Sequence, residues 1–140
     1  MMHKNGFTLV EVLLTLVIIA IIFLIVKPFS IEIIEKKQEE KFLEMLQADI
    51  LFTQNLAMHT GKYATIYFFD GEYRILVERS PYRTREFPNE WIIEDYGMRP
   101  IGFTSSGKIR KPGTMRIRMT HSSVKVVFPF GKGRNYIEEI

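Results

Sequence analysis

The sequence predicts an α+β fold: a long N-terminal helix, transmembrane in its first half and packed by its second half on a small antiparallel β-sheet. Three observations carry this. Residues 7–26 are apolar except at Thr8, Glu11 and Thr15. Residues 42–57 repeat apolar positions at helical spacing. Beyond Gly61 the period changes to two, with turn signals between short apolar runs.

As a helix, residues 7–26 would span roughly 30 Å, the thickness of a bilayer's hydrocarbon core. A buried helix of a soluble domain is the alternative, but one apolar on every face is long for that role. The reading is a membrane segment. Glu11 lies one turn inside it, where a lone carboxylate costs several kcal/mol, of order 3 or more. A charge kept at that depth is expected to have a partner. The leader, residues 1–6, carries Lys4 and ends at Gly6. A secretory signal would place its small-residue cut site after the apolar run. The residues there, Lys27, Pro28, Phe29, Ser30 and Ile31, offer no such site, so the run is expected to stay in the mature chain.

The segment Gly6-Phe7-Thr8-Leu9-Val10-Glu11 with its apolar tail resembles the class III signal of type IV pilins and pseudopilins. The resemblance covers about the first thirty residues. It implies that prepilin peptidase cuts between Gly6 and Phe7 and that Phe7 is then N-methylated. It matches Glu11 to the family's glutamate at the fifth mature position and Pro28 to its proline at the twenty-second. In a filament, the Glu11 carboxylate of one subunit would pair with the Phe7 ammonium of a neighbour. Low dielectric strengthens such a pair and penalises either charge alone, which favours one axial register. The bland alternative is that Glu11 snorkels to the headgroups as an interfacial charge.

Pro28 removes a backbone donor, so a kink or a fresh helix start is expected near residues 27–29. Residues 32–41 are rich in charge and read as solvated, Glu39 and Glu40 included. From Phe42, the residues Met45, Leu46, Ile50, Phe52, Leu56 and Ala57 form one broad apolar face, and Gly61 stops the helix. Residues 63–69 and 73–78 flank Asp70-Gly71-Glu72 as a hairpin. Residues 80–89, with Pro81, Pro88, Arg83 and Arg85 and preceded by Arg79, read as an exposed loop. A short strand is expected over 90–94, around the sole Trp91, and mostly loop over 96–112. Residues 114–119 and 124–130 form a second hairpin around Thr120-His121-Ser122-Ser123, followed by a turn and a short tail. The expected division is leader 1–6, transmembrane helix 7–27, amphipathic stalk helix 28–60 and antiparallel β-domain 61–140.

In the C-terminal region, Phe103-Thr104-Ser105-Ser106-Gly107, Gly113-Thr114-Met115 and Phe130-Gly131-Lys132-Gly133-Arg134 resemble the GspH-type minor pseudopilins. Among these they are most similar to the ComGD type of Gram-positive competence systems. Gly and aromatic patterns also mark any turn-rich β-domain.

The net charge of +3 conceals a polarity. Residues 30–98 hold 8 basic and 13 acidic side chains, whereas residues 99–134 hold 9 basic and no acidic one. An anionic partner, or an acidic surface on a neighbouring subunit, would match the second stretch. Arg116 and Arg118 alternate with apolar residues, as does Lys125 on the next strand. A four-residue turn would set Arg118 opposite Lys125 and Arg116 opposite Val127. Lys108, Arg110 and Lys111 stand in the loop before them. These six residues are candidates for weak, non-specific DNA contact or subunit docking, with an ordinary solvated sheet face as the third reading.

The chain has no Cys, which removes disulfides, thiol nucleophiles and thiolate metal sites. No nucleophile elbow, phosphate loop, zinc-protease or dinucleotide pattern appears. His59 and His121 read as helix-end and turn residues. No enzyme, cofactor or metal is expected. The resemblance implies a single-pass membrane protein with an extracytoplasmic C-terminal domain. It would be a minor subunit of a competence pilus that supports DNA uptake, with other pilins, prepilin peptidase and the membrane as partners. A subunit of a type II secretion system and a singly anchored envelope ligand-binding domain are the alternatives.

Overall fold

The structure, a computed structural model, describes residues 8–98, 100–130 and 134–140, with the side chains of residues 26–30 also outside the described set. It is an α+β fold with a 52-residue helix, α1 (Leu9–Thr60), leading into antiparallel sheets. Helical backbone continues through residues 27–29, so the fresh start allowed for at Pro28 does not occur. The chain forms two compact units, which divide between Lys37 and Gln38.

In the N-terminal unit, Thr8 starts α1. Its hydroxyl accepts the Glu11 amide at 3.3 Å and its carbonyl accepts the same amide at 3.1 Å, which satisfies a donor the helix leaves free. Farther along, Glu32 and Lys36 pair one turn apart at 2.7 Å.

The C-terminal unit holds two sheets rather than the single sheet expected. The first has the order β3-β2-β1-β5, from β1 (Ala64–Phe69), β2 (Glu72–Val77), β3 (Ser80–Glu86) and β5 (Ile101–Phe103). The second has the order β4-β6-β7-β8, from β4 (Ile92–Glu94), β6 (Gly113–Arg118), β7 (Ser123–Phe128) and β8 (Tyr136–Glu139). The β1–β2 hairpin closes at Asp70-Gly71 with Phe69 opposite Glu72, as its turn residues predict. Gly71 has φ +76°, and a Cβ there would run into the Asn89 side-chain amide, so only glycine fits.

Apolar residues of the helix (Phe42, Leu46, Ile50, Ala57) and of both sheets (Ile66, Phe68, Ile75; Met115, Ile117, Val124, Val126) belong to one core cluster. Phe42 stands at the centre of an aromatic group, with ring centroids 4.9 Å from Trp91 and 5.5 Å from Phe87, both edge-on.

Three expectations are corrected here. Residues 80–86 are a strand, not a loop: β3 is an edge strand, where Pro81 loses no ladder bond, and a bulge beside Leu76 absorbs the misfit. Within 96–112, β5 pairs with β1 on the opposite edge. The C-terminal tail forms β8 against β7. None of these pairings has a partner close in sequence except β3, which is why local pattern did not reveal them.

Candidate functional site

At the N-terminus, Gly6 and Phe7 lie outside the described residues, as does the Pro28 side chain. Glu11 is exposed on α1, and no described residue reaches its carboxylate. Around it the large apolar side chains of residues 9–25 are all exposed, Leu9 at 82% and Leu24 at 76%. Apolar exposure on this scale marks a surface made for lipid or protein contact. No helix among the described residues is long and apolar enough to cross a membrane. The described apolar stretch, residues 9–25, amounts to about 26 Å of helix; in the sequence Val26 follows it directly, and Phe7 precedes it beyond Thr8.

The six basic candidates do not form one face. On the second sheet, Arg116 stands opposite Lys125 and Arg118 opposite Ser123, a register two residues from the one expected. The cause is the turn, which is Met119–Ser122, closed by the Met119 amide on the Ser122 carbonyl at 2.9 Å. The flanking strands then supply acids from outside the basic stretch. Glu94 of β4 lies opposite Arg116 and ion-pairs with Arg118, and Glu138 of β8 lies opposite Lys125. In the row Glu94, Arg116, Lys125, Glu138 the two central cations are therefore flanked by two acids, and the row sums to zero net charge. Lys108, Arg110 and Lys111 belong elsewhere, in the exposed loop after β5, where the Arg110 guanidinium lies 4.7 Å over the Tyr63 ring.

Two polar sites escaped the sequence reading. Glu39, expected to be solvated, is 4% exposed. Its Oε1 accepts the His121 amide and its Oε2 the Ser122 hydroxyl, both at 2.7 Å. Asp49 is 3% exposed and accepts from three side chains: Tyr73 Oη at 2.8 Å, Arg85 Nε at 3.0 Å and Arg83 Nη1 at 3.3 Å. Burial, then the Asp49 hydrogen bond and charge, push the Tyr73 phenol well above its usual value. The Asp49 hydrogen bond raises the Arg85 pKa against the opposing effect of desolvation. A signal for both acids was present: continuing the stripe Phe42, Leu46, Ile50, Thr53 at helical spacing lands on Glu39 and Asp49. These carboxylates join the helix to the two sheets.

His59 lies in the last turn of α1 and His121 in the β6–β7 turn, and the described residues contain no cluster able to hold a metal ion.

The family model described as the prokaryotic N-terminal methylation motif matches residues 1–26. The motif supports a pilin or pseudopilin subunit, processed by prepilin peptidase and membrane-anchored, that assembles with other pilins at the surface. No curated protein and no solved structure matches the chain.

Proposed function

We propose that this chain is a minor pseudopilin of a type IV-like competence pilus that supports DNA uptake. Prepilin peptidase cuts between Gly6 and Phe7, Phe7 is methylated, and the segment 7–27 anchors the subunit in the membrane until it is assembled. The stalk 28–60 and the β-domain 61–140 lie outside the cytoplasm. The observation that carries the pilin part of this reading is the Glu11 carboxylate. It stands unpartnered among described residues on an exposed apolar helix, at the fifth position of the mature chain that this reading gives. A charge there that no described residue satisfies is suited to a neighbour's N-terminal ammonium. The competence part rests on the C-terminal resemblance to the GspH and ComGD types.

Pro28 is assigned to assembly through the same family pattern. Arg116, Arg118 and Lys125 are assigned to docking on a sister subunit rather than to DNA. The acids Glu94 and Glu138 on either side of them support this, because a charge-mixed row suits another protein surface better than a polyphosphate.

N-terminal mass analysis of membrane material from cells that hold the peptidase tests the reading. The expected species begins at N-methylated Phe7. A chain retaining Met1 in those cells would overturn it. For the competence assignment, deletion of the gene should abolish transformation while leaving protein secretion intact; the reverse pattern assigns the chain to a secretion system.

A further inference from the structure

The outward side of the first sheet carries a groove of about 610 Å³. Strand alternation builds its floor: Tyr67 and Phe69 face outward from β1, while Ile66 and Phe68 point into the core. The two outward rings are 40% and 46% exposed and stack with centroids 6.4 Å apart, 26° from parallel. The Arg74 guanidinium lies 4.8 Å over the Phe69 ring, yet both rings keep that exposure, and aromatic area of that size on a sheet face is costly to leave in water without a use.

The rim is basic. Arg79, Arg110 and Lys111 line it. Nearby charges cancel one another, Lys62 with Glu78 at 2.8 Å and Arg74 with Glu72. Among the described residues, by contrast, Arg79 and Lys111 have no acidic partner, and Arg110 rests on the Tyr63 ring. The rim groups are also held in place. The Arg110 amide donates to the Gly102 carbonyl at 2.8 Å, and Tyr63 fits against Gly102 only because that residue has no Cβ, which would lie 2.9 Å from Tyr63 Cζ. Arg79 has φ +73° and Glu78 φ +48°, so both central residues of the β2–β3 turn are left-handed. Asn and Gly are the usual occupants of such a turn. This chain keeps an arginine there, aimed at the groove.

A basic rim alone would suit any polyanion. The exposed stacked pair narrows the choice, since it rewards a ligand with flat apolar rings spaced along an anionic backbone. A neighbour's acidic helix offers carboxylates without rings, and a nucleic-acid duplex hides the faces of its bases. We propose that this groove binds single-stranded nucleic acid. Tyr67 and Phe69 stack bases, and Arg79, Arg110 and Lys111 contact phosphates, which is the division of labour general to single-strand binding surfaces. The groove lies on a different sheet from Arg116 and Lys125, and the inference does not depend on the pilus reading.

The test uses the full chain in detergent micelles and the fluorescence anisotropy of a labelled oligothymidylate of about 15 nucleotides, within the range such sites cover. Saturable binding at low salt is expected, weakening as salt rises because phosphate contacts release counterions. Tyr67→Leu/Phe69→Leu should weaken binding about tenfold or more with the salt slope retained. Arg110→Gln/Lys111→Gln should flatten the salt slope instead. An unlabelled duplex and an abasic strand of equal length should compete poorly. Binding that is absent at low salt in a chain with native circular dichroism would overturn the proposal. So would wild-type affinity in the aromatic variant, or equal competition by the abasic strand, which would leave only a polyanion site.

Discussion

Glu39 and Asp49, about three turns apart on α1, each anchor a different sheet: Glu39 holds the β6–β7 turn of the second, Asp49 the β2–β3 pair of the first. One helix thereby fixes two sheets through two buried carboxylates. Their costs on removal should differ. Asp49→Ala strands the fully buried Tyr73 hydroxyl, a loss of about 1–3 kcal/mol. It also frees Arg83 and Arg85, but these are more than a third exposed and rehydrate, adding at most about 1 kcal/mol. Glu39→Ala releases an amide and a hydroxyl near solvent, for about 1–2 kcal/mol. Thermal unfolding should therefore rank Asp49→Ala below Glu39→Ala in Tm, and an equal or reversed order would refute the clasp at Asp49.

Alkaline pH should destabilise the same site. Tyr73 in the unfolded chain ionises near pH 10. In the folded chain, burial and Asp49 hold its proton to far higher pH. Above pH 10 the unfolded state therefore binds fewer protons than the folded one. This contribution to stability is complete below pH 10 and falls progressively as pH rises beyond it. Urea midpoints measured across that range should drop in the native chain. Tyr73→Phe should start lower, having lost the hydrogen bond, and show a smaller drop; parallel curves would contradict the linkage.

Gly107 offers a contest between backbone and side chain. Its φ is +75°, and an added Cβ would lie 2.6 Å from Met58 Sδ and 2.9 Å from Met58 Cγ. The thioether is flexible and can move, whereas a left-handed residue with a Cβ costs about 1–2 kcal/mol wherever its neighbours go. Gly107→Ala should lose roughly that much stability. Adding Met58→Ala should restore little of it. Full recovery in the double variant would assign the cost to the clash.

Glu11→Ala should insert into membranes at least as well as the native chain, because it removes an intramembrane charge. It should nevertheless be depleted from sheared filaments. Equal incorporation, measured by mass spectrometry against a co-assembled native subunit, would remove Glu11 from assembly.

A chain beginning at Ser30 should be soluble and cooperatively folded. The buried apolar residues of the core run from Phe42 to Phe128, so truncation removes none of them. Aggregation without a β signal in circular dichroism would show that the N-terminal segment is needed for folding.

The sequence by itself determined what depends on near neighbours. The helix and its apolar stripe follow from spacing within a few turns, the β1–β2 hairpin from Asp70-Gly71, and the N-terminal motif from Gly6, Phe7 and Glu11 within six consecutive residues. Tertiary structure alone decided what depends on distant pairing. Arg118 meets Glu94 across 24 residues of chain, and Lys125 meets Glu138 only because the tail returns as β8. A stretch without acids thus became a neutral row, since charge balance on a sheet is set by the adjacent strands and not by the adjacent sequence. The same pairing made residues 80–86 a strand despite Pro81, because an edge position asks for no donor there. It also brought Arg79 and Arg110 to the rings of β1, which no local period relates, because an open groove is a product of how strands are ordered in the sheet.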